Sequence, residues 1–555
     1  MGLLAADDAR LNELRKKEEE ELAQMLSKKY GIGYMDLTRV SINADALRIM
    51  AEDVARDAEV APFDIVGKKV SLAVRGPENP KIGPVRESLT RAGYELQEFM
   101  VSRASLARAW ERYKDISHAA EAKEGILDIS PEALEKAITS IKTVEDVKRE
   151  IEAVSGMKRA YRISQIAEVV LAGAFSVDAS DVHIEPEMED VRLRYRLDGV
   201  LEDVARFDTD TFHLLLSRIK LLSGLKLNIH DRAQDGRFSV NVEKAEMEIR
   251  TSIIPEAYGE SIVMRILDPH SIGTPLEELG MEEALRKVVE AEIQKPNGML
   301  LTTGPTGSGK TTALYACMKK VYTPGMKIIT IEDPIEYHLP GVVQTQIGKN
   351  YTFMGALRSA LRQDPDVIMV GEIRDPEVAR TAIDAALTGH FVFSTLHTNN
   401  AAGSFPRLAD LGIDLKVAGS AMTVVLAQRL VRKLCTVCRK AVGYEGKTKE
   451  RLEAIIARVR RLNPSVIPAN PELYEPAGCD RCNGTGFKGR TGIFEGIVVD
   501  GEIDKLVRVN PSERDIQEVQ KKRPLLFMVE DGAVKVLKGI TSLEELERVV
   551  LIEAM

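Results

Sequence analysis

No apolar run in the 555-residue sequence approaches the roughly 18 residues that a membrane-spanning helix requires. No signal peptide is legible at its start, because Met1–Ala6 runs straight into Asp7 and Asp8, and Ala6 breaks the myristoylation pattern. The expectation is a cytoplasmic protein, without a membrane span, that meets membranes only through other proteins. Cysteine is scarce, with five in the chain, and four of them fall into two C-x-x-C pairs. That argues against a disulfide framework and for metal ligation in a reducing compartment. Aromatic residues make up 5% of the chain, tryptophan occurs once, and the net charge is -9. An acidic chain with few rings for base stacking argues against broad nucleic-acid binding. There is no internal repeat and no low-complexity stretch. At roughly 150 residues per domain, the length suggests three or four domains.

What is present centres on Gly304-Pro305-Thr306-Gly307-Ser308-Gly309-Lys310-Thr311, entered through Met299-Leu300-Leu301 and followed by the helix-prone Thr312-Ala313-Leu314. This fits G-x-x-x-x-G-K-[ST] between a strand and a helix. Glycines let the backbone fold tightly with its N–H groups turned inward, making an anion site at a helix N-terminus. Lys310 is expected to reach the β- and γ-phosphates of a nucleoside triphosphate, and the Thr311 hydroxyl to ligate Mg²⁺. Three apolar strands follow, each ending in a polar group. Lys327–Ile331 runs into Glu332 and Glu336, Asp366–Val370 into Glu372, and Phe391–Leu396 into His397. A parallel sheet presents a site at its carboxyl edge in this way. Charge and position assign Glu372 to Mg²⁺ through water and Glu336 to the attacking water, with Glu332 behind it. His397 is expected to contact the γ-phosphate.

Before this core, a charged helix to about Tyr30 is predicted to share Leu22, Met25 and Leu26 on one face, with Glu18–Glu21 a solvated run and Gly31 past its end. A small α/β unit follows: strand Val70–Val74, turn Gly76–Pro80, helix Ile82–Ala92 and strand Tyr94–Val101. Residues 115–154 read as a helical connector. Residues 155–270 are α/β and rich in arginine. Alternation puts Arg192, Arg194 and Arg196 on one strand face, and Arg218, Arg232, Arg237, Arg250 and Arg265 follow. A face laced with salt bridges and a set of forks for phosphate are the two readings of these side chains.

Cys435-x-x-Cys438 and Cys479-x-x-Cys482, 40 residues apart, supply four thiolates suited to a closed, structural tetrahedral Zn²⁺, although the separation exceeds the common zinc-ribbon range. Arg429, Arg432, Lys433, Arg439 and Lys440 surround the first hook, facing either another protein or solvent. Cys317, in the helix after the phosphate loop, is expected to be packing.

Four motifs together resemble the secretion-ATPase superfamily, in its branch of type II secretion and type IV pilus assembly (extension) ATPases. They are residues 304–311, Ile331-Glu332-Asp333-Pro334-Ile335-Glu336-Tyr337, the stretch from Leu361-Arg362-Gln363-Asp364-Pro365-Asp366 to Gly371-Glu372-Ile373-Arg374-Asp375, and Thr395-Leu396-His397-Thr398-Asn399. The similarity runs from about residue 160 to the C-terminus. It implies a RecA-like P-loop NTPase core over 271–555, carrying the tetracysteine zinc module at 433–490. A PAS-like α/β domain at 155–270 and a small N-terminal α/β docking domain at 1–114 precede it. It implies a homo-hexameric motor using ATP and Mg²⁺, working with an inner-membrane platform protein and cytoplasmic assembly proteins of a pilus or secretion machine. It makes Arg194, Arg196, Arg218, Arg232 and Arg237 candidate phosphate contacts. Many extension ATPases begin with a module that binds cyclic di-GMP through an Arg-Leu-Gly-bearing repeat. Here Arg10-Leu11 is followed by Asn12 with no second copy, so no affinity for that dinucleotide is expected. The competing expectations are a RecA-like DNA translocase or helicase, which DNA would stimulate, and a scaffold that binds nucleotide without hydrolysis.

Overall fold

The computed structural model describes residues 18–113 and 138–552, apart from 39, 41, 48, 67, 92, 139, 156–158, 243–244 and 268–272. The chain divides into two compact units, residues 1–128 and 129–555. In the first, strands Val60–Val66, Lys69–Val74, Glu95–Met100 and the short Gly33–Tyr34 make a four-stranded sheet. Lys69–Val74 and Glu95–Met100 are parallel and therefore need a crossover, which is helix Ile82–Arg91 with Ile82, Val85 and Leu89 buried along one stripe. Arg10–Asn12 lie outside the described residues.

The opening helix ends at residue 30, with Gly31 at φ 68° as its left-handed stop. The face it turns inward is not the one that carries Leu22 and Met25. Ala23 and Ser27 are buried, while Leu22 and Met25 are 52% and 63% exposed. The cause is a carboxylate on that face: Glu20 accepts hydrogen bonds from the Tyr34 hydroxyl at 2.7 Å and from Ser102 Oγ at 2.5 Å. One of the four expected solvated glutamates is thus a tether, and burial together with that carboxylate pushes the Tyr34 phenol up to about 12.

Among its described residues the second unit holds two large sheets and a two-stranded one, Lys440–Val442 with Leu473–Glu475. The first is antiparallel throughout, in the order Val200–Phe207, Val191–Leu197, Asp181–Pro186, Gly259–Leu267, Ala245–Glu256, Gln234–Val242. Strand Val191–Leu197 alternates as predicted, with Val191, Leu193, Tyr195 and Leu197 buried and the arginines between them half-buried. Helix Val144–Ser155, assigned from the sequence to the connector, packs on helix Arg159–Ser176 and on the edge strand Val200–Phe207, with Val147, Ile151 and Val154 buried.

The second sheet runs 343–346, 328–332, 367–370, 391–396, 298–303, 422–434, 487–498, all parallel except the last pairing. Its central strands are apolar on both faces because both are covered. Ile368 and Val370 enter one core with Leu301 and Ile331, while Val367 and Met369 enter the other with Leu300 and Ile328. Met422–Leu434 and Phe487–Val498 form a long antiparallel ribbon.

The antiparallel sheet is locked to its helices at Gly173, where a Cβ would lie 2.7 Å from Val147 Cγ2 and 3.0 Å from the Tyr195 hydroxyl. The expected outcome for Gly173→Ala is a loss of about 1–3 kcal/mol by overpacking, read as a lower denaturant midpoint. An unchanged midpoint would contradict this packing.

Candidate nucleotide site and metal module

The phosphate loop leaves strand Gly298–Thr303 and enters helix Lys310–Val321. Gly304, Gly307 and Gly309 all have positive φ, at 144°, 77° and 88°. Space demands glycine at 304 as strongly as conformation does, while at 309 the neighbour is the end of a flexible side chain. A Cβ on Gly304 would sit 2.5 Å from the carbonyl oxygen of Gln428, and one on Gly309 would sit 2.7 Å from Gln428 Nε2. Gln428 lies in the neighbouring strand, one residue past the Thr303–Ala427 pairing. Pro305, Thr306 and Gly307 form the exposed tip, Ser308 and Lys310 are buried, and Thr311 and Thr312 are half-buried. The Lys310 ammonium donates to the carbonyl oxygens of Gly304 at 2.7 Å and Pro305 at 3.0 Å. Burial lowers its pKa, and the charge of Glu372 acts in the opposite sense. Ser308 Oγ and Gln428 Oε1 are buried without a hydrogen-bond partner, so the loop keeps polar atoms in reserve at its base.

The strand order sets Phe391–Leu396 beside the phosphate-loop strand and Val367–Val370 next to it. His397 and Glu372 therefore leave the same edge, with Nε2 3.4 Å from Glu372 Oε2, and Arg374 pairs with Glu372 at 2.6 Å. Thr398 N–H donates to Thr303 Oγ1 at 2.8 Å, which ties the histidine turn to the last residue before the loop. Glu336 is half-buried, 4.0 Å from Arg250, whose Nη2 also donates to the Ile335 carbonyl at 2.7 Å. Glu332 sits apart from this group. It is 2% exposed and accepts hydrogen bonds from Thr330 Oγ1, Gln344 Nε2 and, very closely, the Tyr315 hydroxyl of the phosphate-loop helix. Its surroundings are those of a group that holds helix to strand.

The arginine strand pairs across to acidic neighbours. Arg194 meets Glu185 at 2.6 Å, Arg196 meets Asp181 at 3.1 Å, and Arg192 meets Glu187 at 3.1 Å. Burial alone would raise the Asp181 pKa, but the Ser180 hydroxyl, Arg265 and Arg196 outweigh it and hold that carboxyl below its usual range. Arg232 and Arg237 are exposed. Arg218 stands on helix Thr209–Leu222, and its charge opposes the rise that burial imposes on the Glu168 pKa.

The four cysteine sulfurs all lie within 4.8 Å of one another. Individual separations are 3.9 Å for Cys435–Cys479 and 3.7 Å for both Cys438–Cys482 and Cys479–Cys482. Tetrahedral zinc with Zn–S about 2.3 Å requires sulfur–sulfur edges of about 3.8 Å, so the donor set fits that ion. Cys482 Sγ accepts from the amides of Cys479 and Gly486, both at 3.2 Å. Burial opposes ionisation of Cys435, yet the amides of Val437 and Cys438 and the adjacent sulfurs hold its thiol at about 7. The unusual spacing is explained by an insertion. Strands Lys440–Val442 and Leu473–Glu475 carry helix Gly446–Leu462, which buries Leu452, Ile455, Ile456 and Val459 in the main core. Three of the flanking basic residues face the chain itself. Arg432 pairs with Glu545 at 2.9 Å and stacks on Phe487, Arg429 donates to the Val549 carbonyl, and Arg439 donates to that of Gly539. Cys317 is fully buried, as expected of packing.

Sequence reasoning missed Gln428 and the role of Arg250 at the aspartate turn. A lone amide inside the apolar run Met422–Val431 was the available signal for the first.

Residues 158–548 match the family model described as "Type II/IV secretion system protein", and residues 30–120 match that of the MshEN domain. The chain is 36% identical over 531 residues to the type IV pilus assembly ATPase PilB of Thermus thermophilus, covering 95% of this chain and 57% of that protein. It is 34% identical to PilB of Myxococcus xanthus, covering 95% and 90% respectively. Type II secretion system protein E of Aeromonas hydrophila is 42% identical over 390 residues, 70% of this chain and 75% of its own. Among solved structures, the ATPase DotB of Yersinia pseudotuberculosis superposes with a TM-score of 0.51 over 72% of this chain and 95% of its own, at 20% identity, which speaks to fold alone.

The cradle yields a prediction. Gly309→Ala adds a Cβ where 2.7 Å is available and where φ is 88°. Affinity for a fluorescent ATP analogue is expected to fall at least about tenfold with the thermal midpoint little changed, since strain of about 1–3 kcal/mol falls on the loop itself. Undiminished binding would show that Gln428 yields freely.

Proposed function

Since this chain belongs to the type II/IV secretion system protein family, we propose that it is a cytoplasmic hexameric ATPase motor driving type IV pilus assembly or type II secretion. The observation that carries the reading is the shared sheet edge, on which Lys310, Glu372 and His397 converge from three strands. ATP is held by the amides of residues 304–312, with Lys310 exchanging the Gly304 and Pro305 carbonyls for phosphate oxygens. Thr311 and Glu372 are the residues that would hold Mg²⁺, which would supply charge neutralisation at the phosphates.

Glu336 orients and deprotonates the attacking water, and Arg250, 4.0 Å away, limits where that carboxylate points. Glu332, bonded to Tyr315, fixes the helix behind the loop and supports Glu336 from a distance. His397, against Glu372, answers to the γ-phosphate and passes its loss to the turn that Thr398 ties to Thr303. Arg194, Arg196, Arg218, Arg232 and Arg237 serve as phosphate-facing charges on domain closure. The four cysteines hold a structural zinc. Relatives of the pilus and the secretion kind match almost equally well, so the machine served is left as the alternative between those two.

Glu336→Gln is expected to lower turnover about 10²–10⁴-fold with nucleotide binding retained, and Lys310→Ala to remove binding as well. Full turnover in Glu336→Gln would move the base elsewhere. Hydrolysis stimulated by DNA, and not by cytoplasmic segments of a membrane platform protein, would favour the DNA translocase instead. Light scattering with a non-hydrolysable nucleotide is expected to give six chains per particle.

A further inference from the structure

The loop that closes the tetracysteine cluster also touches the antiparallel sheet domain at three points. Asn483 Oδ1 accepts from the Val144 amide at 3.3 Å, Asp198 Oδ2 accepts from the Gly489 amide at 2.9 Å, and Lys488 Nζ donates to Asp178 at 2.8 Å. The three acceptors share a backbone peculiarity: Asn483, Asp198 and Asp178 have φ of 51°, 49° and 59°. Left-handed backbone is unfavourable for residues with a side chain and is tolerated best by Asn and Asp. In a surface turn glycine would serve the conformation better, so the side chains themselves are what these positions require.

The loop is in turn shaped by the cluster. Gly486 N–H points at Cys482 Sγ, Gly484 N–H donates to the Cys479 carbonyl, and Cys435 N–H donates to the Gly486 carbonyl. Thr485 Oγ1 bridges the Cys482 and Phe487 carbonyls. From Phe487 the chain enters the ribbon whose other strand carries Gln428 beneath the phosphate loop.

We infer that residues 483–489 are a latch, set by metal at the four cysteines, that holds the arginine-bearing sheet to the ATPase core through Val144, Asp178 and Asp198. The cluster's task is then interdomain positioning in addition to local folding. The proposal rests on the zinc assignment for the setting of the latch but not for its contacts, and the two are separable.

The test is hydrogen exchange followed by mass spectrometry on the full zinc-loaded chain and on Asp198→Gly/Asn483→Gly. Glycine keeps the left-handed backbone at both positions, and no cysteine is altered. In the double variant, peptides from Val144–Ser155 and Val191–Phe207 are expected to exchange about five- to tenfold faster, with bound zinc and exchange in Lys310–Val321 unchanged. Chelation of the wild type is expected to reproduce that acceleration and to add little to it in the variant. Unchanged exchange in the double variant overturns the latch. Acceleration in the variant, with chelation affecting only residues 435–489, overturns the metal's part in it.

Discussion

The candidate nucleotide site depends on one close approach. The backbone of Met422–Leu434 passes so near the phosphate loop that its Gln428 carbonyl would lie 2.5 Å from any Cβ at position 304, and its side-chain amide 2.7 Å from one at 309. A glycine-rich loop is usually explained by the ligand above it, which needs bare backbone amides. Here the floor imposes the same requirement from below. Lys310, buried among loop carbonyls, is the cation that this crowding keeps in place.

That floor also gives the long ribbon a mechanical meaning. One of its strands supports the phosphate loop, and both run outward to the two cysteine hooks, where Leu434 pairs with Phe487. The hooks sit at corresponding ends of paired strands, which brings four thiols together from two distant segments. Arg432 and Arg439, stacked on Phe487 and Tyr474 and bonded to the C-terminal segment, stiffen the same end. Cysteine cluster, ribbon and loop thus form one continuous piece of covalent and hydrogen-bonded structure.

Much of this was legible because local pattern and chemistry coincided. Strand Phe391–Leu396 ends at His397 as its apolar run predicts, and Val191–Leu197 alternates as its sequence does. The sulfurs meet because C-x-x-C fixes each pair locally. What escaped was set by long-range packing. Nothing near Leu22 and Met25 reveals that Glu20 will be drawn toward Tyr34 and Ser102, which turns the helix onto Ala23 and Ser27. Glu332 reads as a strand-end carboxylate like Glu372, yet Tyr315, seventeen positions earlier, claims it. Arg250 reads like its fellow arginines until the fold sets it beside Ile335 and Glu336.

The two readings of the arginine face are compatible once its pairs are seen as redundant. Asp181 is held by Arg265 at 3.0 Å as well as by Arg196 at 3.1 Å, and Glu185 has Arg192 and His183, each 3.6 Å away, besides Arg194. Removing one partner from a buried pair is costly because it strands a charge. Here a carboxylate that released one arginine would keep another, so the stranding cost would be avoided. Arg458 and Glu530 show the opposite design. That carboxylate is fully buried and accepts from both Nε and Nη2 along one edge of the Arg458 guanidinium. A salt-bridged strand face with duplicated cations can therefore exchange partners at little cost, whereas the Arg458–Glu530 pair cannot.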